Sequence, residues 1–197
     1  MFTLMIAFGD IFGLGGSSAI SRLLGEKKDN EAKKTCAFCI WISLVFGLCI
    51  SAILLLFRTQ ILGLLGVGKD TYQYANAYYT WIAIGAVSII FSMVPSNILR
   101  TEGLAVQSMA GSIIGSIVNI IFDPIFIFGL NQGAAGAAMA TVLGNIIADI
   151  YYVYAVVKKS KRLTCSPSHM KVTGRRIRDI LMIGIPASIT NIMQTFM

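Results

Sequence analysis

Apolar runs of about twenty residues or more dominate this sequence, and each is long enough to cross a hydrocarbon core of about 30 Å as a helix. Only 13% of the residues are charged and the mean hydropathy is +0.76, whereas about 25% of the residues of a soluble domain are charged. The sequence therefore predicts an all-α polytopic membrane protein. The runs cover residues 2–21, 35–57, 72–98, 104–130 and 134–157, and another begins at 179–197.

The run 104–130 is the most informative, because it carries a carboxylate and a proline inside an apolar segment. An acid within a membrane span is costly, so it is expected to face the interior of the bundle and to serve a function. Pro124 has no N–H, so the Ile120 carbonyl lacks its helical partner beside that acid, and both groups are candidate cation ligands. On a helix, the polar residues share an arc of about 80°: Ser108, Ser112, Ser116, Asn119 and Asp123.

Polar residues in the other runs are further candidates. Asp10, near the middle of its run, is either a proton or cation group or a polar residue that lines a cavity. Thr141, Asn145 and Asp149 are spaced i, i+4, i+8 and share one helix face. Asp149 lies near the end of its run beside tyrosines, which predicts a side chain that reaches the membrane interface. Tyr78 belongs either to an interfacial aromatic belt or to a cavity. We take Tyr78, Asn145 and Asp10 as candidate cavity residues.

The cysteines do not suggest a metal site. Cys36 and Cys39 form a CxxC pair inside an apolar run, but no second CxxC is present and His169 is far along the chain. They are therefore predicted to be small buried side chains. The sequence contains no nucleophile elbow, phosphate loop or His/Cys cluster, which favours a transporter without a cofactor over an enzyme.

The basic residues predict the orientation in the membrane. They are gathered between the apolar runs, so the net charge of +7 indicates topology rather than nucleic-acid binding. Of the 16 Lys and Arg residues, all but Arg58 and Lys69 lie in 22–34, 98–103 and 158–178. These three stretches are predicted to be cytoplasmic. The first helix would then run from outside to inside, and we expect a further helix before it.

Several motifs, in this order and spacing, resemble those of one transporter family. The segments are GLGGSSAISRLLG at 13–25, LRTEG at 99–103, DPIFIFGL at 123–130, GAAGAAMAT at 133–141 and IGIPASITNIMQ at 183–194. They are similar to parts of the multidrug and toxic compound extrusion (MATE) transporters: the second helix and its cytoplasmic exit, the LRxxG link between helices four and five, helices five and six, and the opening of helix seven. The resemblance covers almost the whole chain.

The resemblance implies a fold of two lobes around a central cavity. Residues 1–178 would supply helices two to six of the amino-terminal lobe, with 158–178 as a cytoplasmic linker, and 179–197 would begin helix seven of the second lobe. Alternating access would exchange Na⁺ or H⁺ for organic cations or other xenobiotics across the cell (plasma or inner) membrane. The resemblance also implies that a preceding helix and the second lobe are needed for function.

The resemblance further implies a cation site in the amino-terminal lobe. Asn119, Asp123 and Thr141 match the family's ligands on helices five and six, with the Ala137 carbonyl as a further ligand and Tyr78 nearby. The family's acid on helix one has no counterpart in this chain. The implied partners are small-molecule drugs, the coupling ion and membrane lipid.

Two other functions stay open. One is a lipid-linked sugar flippase of the same superfamily, although such proteins tend to have a strongly basic cavity and no Lys or Arg lies mid-span here. The other is an inactive, truncated membrane fragment, for which no property should depend on a cation.

Overall fold

The computed structural model describes residues 2–64, 68, 71–160, 163–164 and 174–196, and this part of the chain is helical, without strands. Five segments are long and apolar enough to cross a membrane: α1, α2, α4, α5 with the turn that follows it, and α6. The predicted all-α membrane fold is confirmed. The helices are α1 (Phe2–Gly25), α2 (Asp29–Leu56), α3 (Arg58–Leu64), α4 (Tyr72–Thr101), α5 (Ala105–Pro124), a π turn (Ile125–Gly129), α6 (Gly133–Lys158) and α7 (Gly174–Phe196).

Several helices extend beyond the apolar runs into charged sequence. The second half of the basic stretch 22–34 forms the first turns of α2. Asp29 and Glu31 lie in that first turn, where a negative charge interacts favourably with the helix dipole. Between the apolar runs of α2 and α4, the residues that follow α2 form the short helix α3. Lys69 and most of the 158–178 loop, including Lys161, lie outside the described residues.

Helix α4 is the centre of the bundle and packs against α1, α2, α3, α5 and α6. Its residues Ile89, Ile90, Val94 and Ile98 are almost completely buried. One core cluster joins α4 to α1, α2 and α7, a second joins α4 to α1 and α6, and a third lies between α4 and α6.

Small residues allow these helices to approach closely. A Cβ on Gly9 would lie 2.9 Å from the Ile90 carbonyl oxygen. A Cβ on Gly16 would lie 2.6 Å from the Cys39 sulfur. Cys36 and Cys39 are fully buried, so their predicted role as buried small side chains is confirmed.

Helix α5 turns its polar face inward and its apolar face outward. Its only buried residues are Ser108 and Gly111. This arrangement is the reverse of a soluble amphipathic helix, and it suits a helix whose outer face meets hydrocarbon. The exposed apolar residues of α5 are Val106, Met109, Ile113, Ile117, Ile120 and Ile121.

Helix α7 packs along α1. Asn191 Nδ2 donates to Asp10 Oδ2 at 2.7 Å, and Ser188 Oγ donates to the Ala7 carbonyl at 2.7 Å. At the other end of α7, Arg176 forms an ion pair with Glu31 of α2. This pair places the charged starts of α2 and α7 at the same end of the bundle.

Candidate cation site

Helices α4, α5 and α6 enclose a cleft of about 350 Å³. Hydroxyl and amide groups supply its polar surface, and no charged side chain of the described residues lines it. A cleft of this kind, inside otherwise apolar helices, is a site for a small polar or cationic group. Its polar lining residues are Ser92, Ser112, Ser116, Asn119, Thr141, Asn145 and Tyr152.

Two glycines bring α5 and α6 together at the cleft. A Cβ on Gly144 would lie 2.7 Å from the Gly115 carbonyl oxygen, and one on Gly115 would lie 3.1 Å from the Gly144 carbonyl oxygen. Side chains larger than hydrogen would therefore force the helices apart. One turn further along α5, Asn119 lies within reach of Thr141 on α6 because of this crossing.

Hydrogen bonds connect the predicted ligands across the two helices. Asn119 Nδ2 donates to Thr141 Oγ1 at 3.2 Å, and Thr141 Oγ1 donates to the Ala137 carbonyl at 2.9 Å. With its amide turned over, Asn119 Nδ2 donates to Asp123 Oδ2 at 3.2 Å and its oxygen accepts from Thr141 Oγ1 at 3.2 Å. The structure thus brings Asn119, Asp123, Thr141 and the Ala137 carbonyl into one cluster. Asn145 Nδ2 extends it by donating to the Thr141 carbonyl at 2.9 Å.

Asp123 has an open coordination position. Its Oδ1 atom is buried and has no hydrogen-bond partner among the described residues, and no described Lys or Arg pairs with it. A carboxylate, an amide oxygen, a hydroxyl and a carbonyl are hard oxygen ligands, which suit a hard cation such as Na⁺. The cluster is therefore a candidate site for such a cation.

The backbone changes its helical form directly after Asp123. Ile125–Gly129 is a π turn, in which Leu130 N–H donates to the Ile125 carbonyl at 3.0 Å. The sequence indicated a disturbed helix at Pro124 but not this wider turn. Gly136 of α6 packs on it, since a Cβ there would lie 2.6 Å from the Phe126 carbonyl carbon. Such π turns occur frequently at functional sites.

The candidate cavity residues lie in different places. Asn145 lines the cleft. Tyr78 lies near the start of α4, is 44% exposed and does not line the cleft. Asp10 is only 6% exposed but lies between α1 and α7, hydrogen-bonded to Asn191, a partner that the sequence did not reveal. The structure therefore does not place Tyr78 or Asp10 beside the Asp123 cluster.

The predicted interfacial role of Asp149 is wrong. Ser88 Oγ of α4 donates to Asp149 Oδ2, and Asp149 Oδ1 is buried without a hydrogen-bond partner among the described residues. Helix α6 continues to Lys158, about 13 Å of helical rise beyond Asp149, so this acid lies well inside the span. Its shared face with Thr141 and Asn145 was the signal that could have indicated an inward position.

A second polar network, which the sequence did not predict, closes the other end of the cleft. The Tyr152 hydroxyl lies 2.9 Å from Ser112 Oγ, and Ser96 Oγ lies 2.9 Å from Ser108 Oγ. Arg100 Nε also donates to Ser108 Oγ at 3.0 Å. Serines in apolar runs are individually uninformative, so only the packing of three helices reveals this cluster.

Comparison with known proteins identifies the family of this architecture. The family model MatE matches residues 1–125, which is more than half of the 197 residues. The chain belongs to the MatE family. The resemblance to MATE transporters that the motifs indicated is thus confirmed.

Individual MATE relatives match almost the whole chain. The multidrug export protein MepA of Staphylococcus haemolyticus (strain JCSC1435) is 36% identical over 187 residues, which are 95% of this chain and 41% of that protein. An inward-facing structure of a multidrug resistance MATE family transporter of the MOP superfamily is 30% identical with a TM-score of 0.90, covering 96% of this chain and 43% of that one. An outward-facing structure of such a transporter is also 30% identical, with a TM-score of 0.89, and the match covers 97% of this chain and 43% of that one. The chain spans less than half the length of these relatives.

Proposed function

We propose that this MATE chain forms most of the amino-terminal lobe of a multidrug efflux transporter. It exports organic cations or other xenobiotics across the cell membrane, in exchange for Na⁺ or H⁺, by alternating access. Residues 1–178 supply helices two to six and the cytoplasmic linker, and 179–197 begin the second lobe. The name of the MepA relative, a multidrug export protein, supports the substrate class.

The observation that carries this proposal is the buried Oδ1 of Asp123, which has no hydrogen-bond partner among the described residues and lies beside Asn119 and Thr141. A carboxylate inside a membrane protein is stable only when a cation, a proton or several donors compensate its charge. Asn119 supplies one donor at most, so a bound cation or proton supplies the rest. Ion occupancy then changes the local charge by one unit, which can bias a neighbouring structural element between two arrangements.

The π turn is the element in the right place to respond. It begins two residues after Asp123, contains the last residues of the fourth span and contacts α6 through Gly136. A change of charge at Asp123 alters the stability of the adjacent helix end, because a helix C-terminus carries a partial negative charge. Through this turn, ion binding is coupled to the packing of α5 on α6.

Two further findings support a drug transporter. The chain matches an inward-facing and an outward-facing MATE structure with almost equal TM-scores, 0.90 and 0.89, as expected for a lobe that moves as a nearly rigid body. The described lining of the cleft contains no Lys or Arg, which disfavours a flippase for a negatively charged lipid-linked sugar.

The test is cation-driven drug efflux by the complete two-lobe protein, purified and reconstituted in proteoliposomes. Asp123→Asn should retain folding and membrane insertion, because it removes a buried charge, but should abolish efflux that depends on an imposed Na⁺ or pH gradient. Asp29→Asn, which removes an exposed acid at the start of α2, is the matched control and should transport normally. Parental efflux by Asp123→Asn, with an unchanged response to Na⁺ and pH, would show that the proposal is wrong.

A further inference from the structure

A second membrane-embedded carboxylate, Asp149, lies in the seam between α4 and α6. Of its two carboxyl oxygens, Oδ2 accepts from Ser88 Oγ, and Oδ1 is buried without a hydrogen-bond partner among the described residues. Ser88 itself is buried. One neutral hydroxyl compensates a carboxylate charge poorly, whereas the neutral acid needs no countercharge.

The seam is closely packed on both sides of this pair. Val142 of α6 lies directly against Gly85 of α4, where a Cβ could not be accommodated. On the inner side, Leu99 of α4 belongs to a core cluster with residues of α6, including Ala148 and Tyr152. Dense apolar packing keeps water from solvating the carboxylate, which favours its neutral form.

No charged group of the described elements packed against α6 contacts Asp149. On α4, Arg100 is about 18 Å of helical rise beyond Ser88 and donates to Ser108, and Glu102 follows the end of the helix. The tyrosines of α4 lie near its start, at or before Tyr79. On α5, the only acid is Asp123, about 12 Å of rise from Gly115, which faces Ala148.

The remaining titratable groups on the elements around Asp149 are tyrosines and one lysine. The π turn has none, because its sequence is IFIFG. On α6 itself they are Tyr151, Tyr152, Tyr154 and Lys158. The Tyr152 hydroxyl is hydrogen-bonded to Ser112. No described cationic side chain forms an ion pair with Asp149.

We propose that Asp149 and Ser88 form a proton-binding site in the α4–α6 seam, separate from the Asp123 cluster. A proton fits better than a metal cation, because a hard metal ion takes several oxygen ligands and the described seam offers only Ser88 beside the carboxylate. The cleft gives the proton a route, since Ser92, one turn from Ser88, and Asn145, one turn from Asp149, both line it. The site is independent of which drug the transporter exports.

A proton at this site acts on the Asp123 cluster through charge. Thr141 lies two turns from Asp149 on the same face of α6, about 12 Å of rise away. Across this distance, at an effective dielectric constant of about 20, a unit charge changes the affinity of another charged site by roughly tenfold. Release of the proton from Asp149 therefore favours cation binding at Asp123.

The test is infrared spectroscopy of the purified protein in lipid nanodiscs, with carbon-13 at the aspartate carboxyls, in the absence of drug and of any ion gradient. We expect a carboxylic-acid C=O band at neutral pH that shifts with the label, is lost in Asp149→Asn and persists in Asp29→Asn. Because a cation at Asp123 favours release of the proton from Asp149 by the same roughly tenfold factor, addition of Na⁺ should lower the pH at which the band is lost by about one unit and should leave the band in place at acidic pH. A spectrum that Asp149→Asn does not change, or a band that Na⁺ removes at every pH, would overturn the proposal. Because this experiment does not measure transport, it can contradict the Asp149 site without contradicting the proposed efflux function, and the efflux test can fail without contradicting the Asp149 site.

Ser88→Ala provides a second variant that keeps the acid. Loss of the hydroxyl removes the one donor that stabilises the ionised form, so the band should change frequency and persist to higher pH than in the parent protein. An unchanged frequency and an unchanged pH dependence in Ser88→Ala would also overturn the proposal, since Asp149 would then not be the group observed.

Discussion

At the scale of single residues, the Asp123 cluster combines one charged ligand with neutral ones. Asn119 and Thr141 are hydrogen-bonded to each other, and the Thr141 hydroxyl is held in place by the Ala137 carbonyl. In the proposed cation site, the charge of Asp123 would provide most of the attraction for a cation, while the neutral groups would determine the geometry. Removal of a neutral ligand should therefore weaken ion binding without abolishing it.

Thr141→Ala tests this division of roles. It removes one hydroxyl worth about 1 kcal/mol, so the apparent affinity for the coupling ion should fall roughly fivefold, and Asn119→Ala should have a similar effect. Thr141→Ser, which keeps the hydroxyl, is the control and should stay close to the parent. The measurement is the ion concentration for half-maximal efflux. If Thr141→Ala abolished efflux as completely as Asp123→Asn, Thr141 would have a larger role than that of a neutral ligand.

The sequence revealed the Asp123 cluster because helical spacing and the family motif both pointed to it. The same spacing placed Asp149 on the face of Thr141 and Asn145, but its position near the end of the apolar run 134–157 favoured the membrane interface. Whether an acid faces lipid, water or another helix depends on how far its own helix continues and on the residue opposite. Ser88 lies 61 positions away in sequence, so no local pattern could reveal that contact.

At the scale of elements, the spans were predictable because length and hydropathy determine them. Their ends were not, because charged turns such as the start of α2 are helical as well as polar. Serines and glycines carried little information until their helices were assembled. The π turn after Pro124 depends on contact with α6, which a single span cannot reveal.

The packing of α6 on the π turn gives a prediction for stability. Gly136→Ala would place a methyl group 2.6 Å from the Phe126 carbonyl carbon, and backbone cannot move aside as a side chain can. We expect a loss of about 1–3 kcal/mol and a lower midpoint of thermal unfolding in detergent. Gly129→Ala is the matched control, because the nearest atom, Ile125 Cγ2, is 4.0 Å away. Equal midpoints for the two variants would show that the turn adapts to the added methyl group.

At the scale of the whole molecule, the distribution of charge makes the orientation testable. The ion pair between Arg176 and Glu31 joins the start of α7 to the start of α2. Arg100 lies where α4 leaves the span, and α3 lies after the opposite end of α2. The proposed orientation places 22–34, 98–103 and 158–178 in the cytoplasm and 58–71 outside, following the excess of Lys and Arg.

Single cysteines at Asn30 and Gln60, in a background without the natural cysteines, should distinguish the two sides. Both positions are exposed, at the start of α2 and in α3, and the 28-residue helix α2 separates them. Lys27 is less suitable, since its φ of 58° is unfavourable for an ordinary side chain. In intact cells, a membrane-impermeant maleimide should label Gln60→Cys, whereas Asn30→Cys should react only after the membrane is permeabilised. Labelling of both positions from outside would mean that α2 does not cross the membrane. The reverse pattern would invert the topology, so that the end of the cleft beside Arg100 would face the outside of the cell.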